Sequence, residues 1–228
     1  MQKTIFFLMI FVLLGCLNAA TILSSSELLT LSYANQLESW LGEGSIGLTR
    51  IYAKQSGDTS TNFHNAVDGK GRTITLIEVT SQNKIIGGYN PQSWNASLGY
   101  VTASNTDAFV FNLNNNEVRY HSYAYSIYET YNSSYGPTFG NGHDIHVNSA
   151  LTGGYTYGYA YRSTTRTASP DLPNTGYSYG IIGNGISGSG LTYGKIEVFS
   201  ITNNPVPEPG TCFLVSLAFV AVFILRKR

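Results

Sequence analysis

The side chains best suited to chemistry are His143, Asp144 and His146, which lie within the four-residue run HDIH. Imidazole and carboxylate groups are common zinc ligands, and they also serve in acid–base catalysis. In a β-strand, successive side chains point to opposite faces, so Asp144 and His146 would share one face and His143 the other. The run therefore predicts a surface strand, in which only Asp144 and His146 could contact the same metal ion.

A metal site needs more ligands than that pair supplies, and the sequence offers few. His64 and His121 are the remaining histidines. Both cysteines, Cys16 and Cys212, lie in apolar segments near the chain ends, so the region between them has no disulfide framework and no zinc–thiolate site. We expect no metal and no other cofactor, and keep the pair in HDIH as the weaker hypothesis.

A hydrolase with a histidine and an aspartate in its site is a further hypothesis, since geometry and not spacing defines a catalytic triad. Acids for glycoside hydrolysis are sparse, and Glu197, in the run KIEVF, is interpreted as structural. The run DGKGRT lacks the Gly-Lys-Ser/Thr ending of a phosphate-binding loop, which favours a simple turn. We therefore expect a protein that is not an enzyme.

Tyrosines are dense in the run GGYTYGYAYR. Aromatic rings stack on sugars and phenol hydroxyls donate hydrogen bonds, which would suit a carbohydrate-binding protein of an extracellular matrix. Tyrosine is also an ordinary amphipathic residue on an uncharged β-sheet surface. Both interpretations stay open.

The charge and composition of the chain restrict the classes of partner that it could bind. The formal net charge is zero and only 11% of residues are charged, whereas a nucleic-acid partner would call for a basic face. The region between the chain ends is instead rich in Tyr, Asn, Ser, Thr and Gly. This composition is typical of a β-protein with a polar, uncharged surface, and no nucleic acid is expected as a partner.

Residues 1–20 have the plan of a secretory signal peptide. Lys3 precedes an apolar run from Ile5 to Leu14, and small residues follow at Ala19 and Ala20. Cleavage is expected near Ala20, after passage through the export machinery. A lipoprotein signal at Cys16 is the alternative, which Leu14 fits poorly.

Residues 203–228 form a second targeting segment. Its apolar run, Cys212 to Leu225, is shorter than the roughly 20 residues of a full membrane span. The basic residues Arg226, Lys227 and Arg228 would keep the end on the cytoplasmic side. An ordinary C-terminal anchor would share this topology.

With the motif Val206-Pro207-Glu208-Pro209 before the apolar run, this end resembles a PEP-CTERM sorting signal. The resemblance implies a Gram-negative bacterium that makes exopolysaccharide. It also implies that the chain is anchored in the inner membrane, with its domain outside the cytoplasm, until an exosortase-type protease cuts near the motif. The cell surface or the extracellular matrix would be the final location, and exopolysaccharide a potential partner.

The intervening residues 21–202 predict one α+β domain, an antiparallel β-sandwich flanked by helices. Ser24 and Glu27 have capping-box spacing for a first helix, and SSSELLTLSYANQLESWL carries an apolar stripe. The stripe comprises Leu28, Leu31, Leu37 and Leu41. A second, short helix in STNFHNAVDGKG would end at Gly69.

Two hairpins follow, RTITLIEV with KIIGGY and DAFVFNL with EVRYHSY, and then strands in YSIYET, HDIHV and KIEVFSI. Residues 151–190 predict loops around one or two weak strands.

The ordered set of segments resembles a TLDc domain. The set includes YANQLESWLGEG, DGKGRTITLIEV, KIIGGYNPQSW, DAFVFNL, GPTFGNGHDI and YGKIEVFSI. The resemblance implies a two-sheet β-sandwich with helices and no established catalytic residues, so the function stays open.

Overall fold

The computed structural model describes residues 19–102, 107–122, 127–166, 172, 180–182 and 190–203. Within these residues the predicted α+β class is confirmed, with two helices and eleven strands. In chain order the elements are β1 (Thr21–Ile22), α1 (Leu31–Leu41), β2 (Ile46–Ala53), α2 (Ser60–Val67), β3 (Thr73–Val79), β4 (Lys84–Asn90), β5 (Gly99–Thr102), β6 (Phe109–Asn112), β7 (Glu117–Tyr120), β8 (Ile127–Tyr131), β9 (Ile145–Val147), β10 (Gly153–Thr156) and β11 (Leu191–Asn203).

The predicted signal helix and C-terminal transmembrane helix lie outside the described residues. In the part of the chain that is described, no helix is both long and apolar enough to cross a membrane. Ala20, beside the predicted cleavage point, is buried, and its N–H donates to Asn35 Oδ1 at 3.1 Å.

Nine strands form the main sheet, in the order β1-β2-β11-β3-β4-β6-β7, with β10 paired to β11 and β9 paired to β10. β5 and β8 form a separate two-stranded sheet. The sheet is mixed, since β1 and β2 run parallel whereas its other strand pairs are antiparallel as predicted. The last strand, β11, lies between β2 and β3 and pairs with both.

The main sheet has a hydrophobic core on each face, since successive side chains of its strands point to opposite sides. Ile74 and Leu76 of β3 face one core, which α1 covers. Ile77 and Val79 face the other, to which α2 and β9 contribute. Full burial of one such side chain is worth about 1.5–3 kcal/mol.

The first helix begins six residues later than predicted. Thr30 is its N-cap and accepts a hydrogen bond from Tyr33 N–H, whereas Ser24 caps nothing and accepts from Arg50 N–H. Leu28 is buried in the preceding turn, and Leu31, placed in the apolar stripe by the sequence, is 57% exposed. The turn forms because Ser26 Oγ accepts from two following N–H groups, a local bond that competes with helix.

The second helix and both hairpins occur where they were predicted. α2 ends at Val67, two residues before the predicted Gly69, and Asp68 caps it. β3 pairs with β4 and β6 with β7 in continuous antiparallel register. Asparagines with positive φ, Asn83 (51°) and Asn116 (51°), make the two tight turns.

Candidate functional site

The HDIH run does not form one continuous strand. β9 begins at Ile145, and His143 has a left-handed backbone with φ of 62°. This breaks the alternation on which the sequence argument depended. His143 and His146 consequently lie together, with ring centroids 5.2 Å apart and planes inclined by 23°, so the prediction that they face opposite sides is wrong.

These two imidazoles belong to a ring cluster, which we call the histidine–tyrosine cluster: Tyr135, His143, His146 and Tyr155. His143 Nδ1 lies 2.7 Å from the Tyr155 hydroxyl, and the His146 ring stacks on Tyr155 at 4.8 Å. Tyr135 packs its ring against His146, also at 4.8 Å. His146 Nδ1 is buried and has no hydrogen-bond partner among the described atoms.

The cluster keeps its histidines neutral at ordinary pH. Burial lowers the pKa of His143. Burial, and secondly the charge of His143, lowers the pKa of His146 to about 4. In the described part of the chain no carboxylate is bonded to either ring that would stabilise a cation there.

Asp144 points away from this cluster into the core. Its carboxylate accepts hydrogen bonds from the backbone N–H groups of Tyr159 at 2.8 Å and of Ala160 and Tyr161 at 3.0 Å. Burial raises the pKa of Asp144 to about 6, against the lowering effect of these N–H donors. The bonds fix the path of residues 159–161.

Asp144 and His146 are therefore not a ligand pair. Gly140, with φ of +86°, passes so close that any Cβ there would collide with the Asp144 carboxylate. Among the described residues there is no group of three or more side chains placed to hold a metal ion.

His64, the first of the proposed extra ligands, is engaged elsewhere. Its Nδ1 lies 2.8 Å from Asp68 Oδ1, and its Nε2 lies 3.1 Å from Asn132 O and 3.2 Å from Tyr135 O. A nitrogen between two carbonyl oxygens must donate, so Nε2 cannot accept a proton from a serine as a triad histidine would.

His121, the other histidine that could have supplied a ligand, is buried. Its ring lies edge-on to the ring of Tyr161, with 5.6 Å between the ring centroids.

A Gly-x-Ser-x-Gly pattern, which marks the nucleophile of some hydrolases, occurs once in the sequence, in the run GYSYG at residues 176–180. Our sequence analysis overlooked it. The serine, Ser178, lies outside the described residues, and residues 181–182 just after it form a turn. A nucleophile elbow leads directly into a helix, whereas the described residues 180–182 are not helical.

Glu197 is a buried carboxylate at the centre of β11 with a structural role. Its Oε1 accepts from Arg50 Nη1 at 2.6 Å and from Glu27 N–H at 3.0 Å, and Ser26 Oγ donates to its Oε2. These contacts attach the turn before α1 to the main sheet.

The tyrosine-rich run divides between surface and core. Tyr155, Tyr157 and Tyr159 are half-buried, and the rings of Tyr157 and Tyr159 lie 6.4 Å apart. Tyr161 is only 1% exposed and belongs to the core. The first three are thus the members that a ligand could reach.

One cavity, of about 410 Å³, opens beside α2, and we call it the α2 pocket. Its lining residues are Thr61, His64, Asn65, Asp68, Ala96 and Ser133. Four of these come from α2 or its cap at spacings that share one helix face. This polar helix face, beside the buried Phe63 and Val67, is the sequence pattern that could have predicted a polar pocket here.

The amino-acid sequence matches one protein family. A sequence model of the TLDc domain family matches residues 22–201, nearly the whole of the predicted domain, and this chain therefore belongs to the TLDc family. No curated protein matches the chain.

Proposed function

We propose that this protein is a non-catalytic TLDc module, built as the two-sheet sandwich that the family implies, which works outside the cytoplasm. The supporting observation is that its main acid and base groups are bonded within the protein. Asp144 and Glu197 accept several N–H bonds, and His64 directs Nε2 at two carbonyl oxygens. None of these three is placed to exchange a proton with a substrate. A hydrolytic activity lost in His64→Ala would contradict this part of the proposal.

The location is proposed from the two chain ends. A signal peptide over residues 1–20 would direct export, and the segment 203–228 would hold the chain in the inner membrane until an exosortase-type protease cuts near Val206–Pro209. The domain would then remain at the cell surface or in the exopolysaccharide matrix. Since β11 ends at Asn203, cleavage at the motif would leave every described strand of the domain intact.

Replacement of Pro207, Glu208 and Pro209 by alanine in an exosortase-bearing Gram-negative host tests this location. We expect the variant to stay in the inner-membrane fraction as a longer chain on immunoblots, while the wild type is shortened and released from that fraction. Pro205→Ala, just outside the motif, is the matched control. Unchanged processing and location of the triple variant would favour an ordinary anchor and exclude the sorting signal.

Carbohydrate binding at the tyrosine-rich run is the second candidate function. The half-buried rings of Tyr157 and Tyr159 are close enough to contact one saccharide together. Glycan-array binding that is lost in the Tyr157→Ala/Tyr159→Ala variant would support it. Tyr161 must be left intact in this test, because its removal would damage the core.

A further inference from the structure

The α2 pocket contains three side chains that are free to bond a ligand. Thr61, Asn65 and Ser133 are exposed, and none of their side chains makes a hydrogen bond to another described residue. They offer two hydroxyls and one carboxamide, each able both to donate and to accept. Polar groups that converge on one cavity without internal partners are what a polar ligand requires.

A fixed carboxylate accompanies them. Asp68 Oδ1 lies 2.8 Å from His64 Nδ1, and Asp68 Oδ2 accepts from Ala96 N–H at 2.8 Å. Its side chain is still 31% exposed, and a carboxylate has about four acceptor positions, so two remain for a ligand. Because the two bonds hold the group in place, a ligand need not order it, which lowers the entropic cost of binding.

The opposite wall is equally well held. Ser133 O accepts from Ser60 Oγ at 2.7 Å, and the flanking carbonyls of Asn132 and Tyr135 both contact His64 Nε2. The same histidine thus orients the carboxylate and anchors the segment that carries Ser133. The pocket is set by the fold before any ligand arrives.

The charge and lining of the pocket restrict the ligand class. Asp68 disfavours anions in direct contact with it, and one carboxylate with three neutral side-chain oxygens falls short of the six to eight oxygen ligands of Ca²⁺. Among the described residues that line the cavity, only His64 carries a ring that could stack on a nucleobase, and that ring is nearly buried. A compact neutral molecule with many hydroxyl groups matches the hydroxyls, carboxamide and carboxylate of the pocket, and the volume of about 410 Å³ falls in the range of small-molecule sites.

We propose that the α2 pocket binds one neutral sugar ring, such as a hexose unit of a polysaccharide, with Asp68 accepting from two of its hydroxyls. The inference rests on the proposal that the domain is a binding module and not an enzyme. It assigns recognition to a different surface from the tyrosine-rich run.

Calorimetric titration of the purified full-length chain tests the site, in a detergent without a sugar headgroup. The probes are the methyl glycosides of glucose, galactose and mannose, with methyl glucuronide as an anionic comparison. We expect saturable binding of at least one neutral glycoside with a Kd of about 1–10 mM, and weaker or no binding of the glucuronide. Asn65→Ala/Ser133→Ala should weaken binding about tenfold or more, because it removes two hydrogen bonds.

Ser32→Ala/Ser39→Ala on the exposed face of α1 is the matched control, since α1 covers the other face of the sheet. Retained affinity in this control, with unchanged unfolding midpoints in all variants, would support the pocket. If the pocket variant misfolds, Asn65→Ala alone replaces it. The inference is overturned if no neutral glycoside binds, if the pocket variant binds like wild type, or if Tyr157→Ala/Tyr159→Ala alone abolishes binding. Such results would not contradict the proposed sorting, because the variant with alanine at Pro207, Glu208 and Pro209 tests it separately.

Discussion

Asp144 illustrates how a residue that looks catalytic in the sequence can instead organise the backbone. Its carboxylate collects the N–H groups of three successive residues, Tyr159, Ala160 and Tyr161, which form no strand of their own. Buried backbone N–H groups need acceptors, and here one side chain supplies them. The core position of Tyr161 depends on this arrangement.

We expect Asp144→Ala to lower the free energy of unfolding by about 2–4 kcal/mol, because it leaves three N–H groups without their acceptor. Asp144→Asn keeps one carbonyl oxygen and should lose about 1–2 kcal/mol. Urea denaturation followed by circular dichroism measures both. Asp107→Asn, at a half-exposed carboxylate, is the control and should stay within about 0.5 kcal/mol of wild type. Equal losses for alanine and asparagine would contradict the role of the acceptor.

The sequence could not predict the placement of the histidines, for a local physical reason. Strand alternation applies only where φ is extended, and His143 adopts φ of 62° between the turn glycines and β9. Histidine enters this region several-fold more often than most residues, but nothing in HDIH shows which residue does so. The turn itself was predictable from Gly140 and Gly142.

At the scale of elements, the turn before α1 depends on a residue 170 positions away. Glu27 N–H and Leu28 N–H both donate to Glu197, and Ser26 Oγ does so as well. Capping-box spacing at Ser24 and Glu27 predicted a longer helix, because a local pattern cannot include an acceptor from β11. The hairpins were predictable since their turns and pairings are local. The parallel pairing of β1 with β2 and the pairing of β2 with β11 join strands that no short turn connects, so local patterns did not predict them.

Glu197→Gln should release this turn from the sheet. We expect faster hydrogen exchange at the amides of residues 27–29 and a loss of about 2 kcal/mol, because a buried charge-assisted network is weakened. Exchange within α2 should not change. Lys195→Ala removes an exposed ion pair to Glu27, so its unfolding midpoint should remain close to that of wild type. Unaltered exchange at residues 27–29 in Glu197→Gln would show that the turn is held by packing alone.

At the scale of the whole molecule, two buried groups give the stability opposite dependences on pH. The pKa of His146 falls from 6.5 to about 4 on folding, so the unfolded chain takes up that proton first and stability is lost as pH drops through this window. The pKa of Asp144 rises from 3.8 to about 6, so the folded chain takes up that proton first and stability is gained as pH drops. The two effects partly cancel.

Two variants should separate them in urea titrations between pH 6.5 and 4.5. His146→Gln removes the group whose protonation in the unfolded chain costs stability, so the stability of this variant should decline less on acidification than that of wild type. Asp144→Asn removes the group whose protonation in the folded chain adds stability, so the stability of this variant should decline more steeply than that of wild type. Parallel curves for all three proteins would show that neither group carries a shifted pKa.

The position of β11 sets when the domain can fold. This last strand lies between β2 and β3, so the centre of the sheet stays open until the end of the domain is available. Pairing across such a span is slow, because a long loop must close before any contact forms. In a nascent chain the main sheet can therefore be completed only after β11 has left the ribosome, and such late completion would suit the export proposed above, because an unfolded chain can be threaded through a narrow translocation channel.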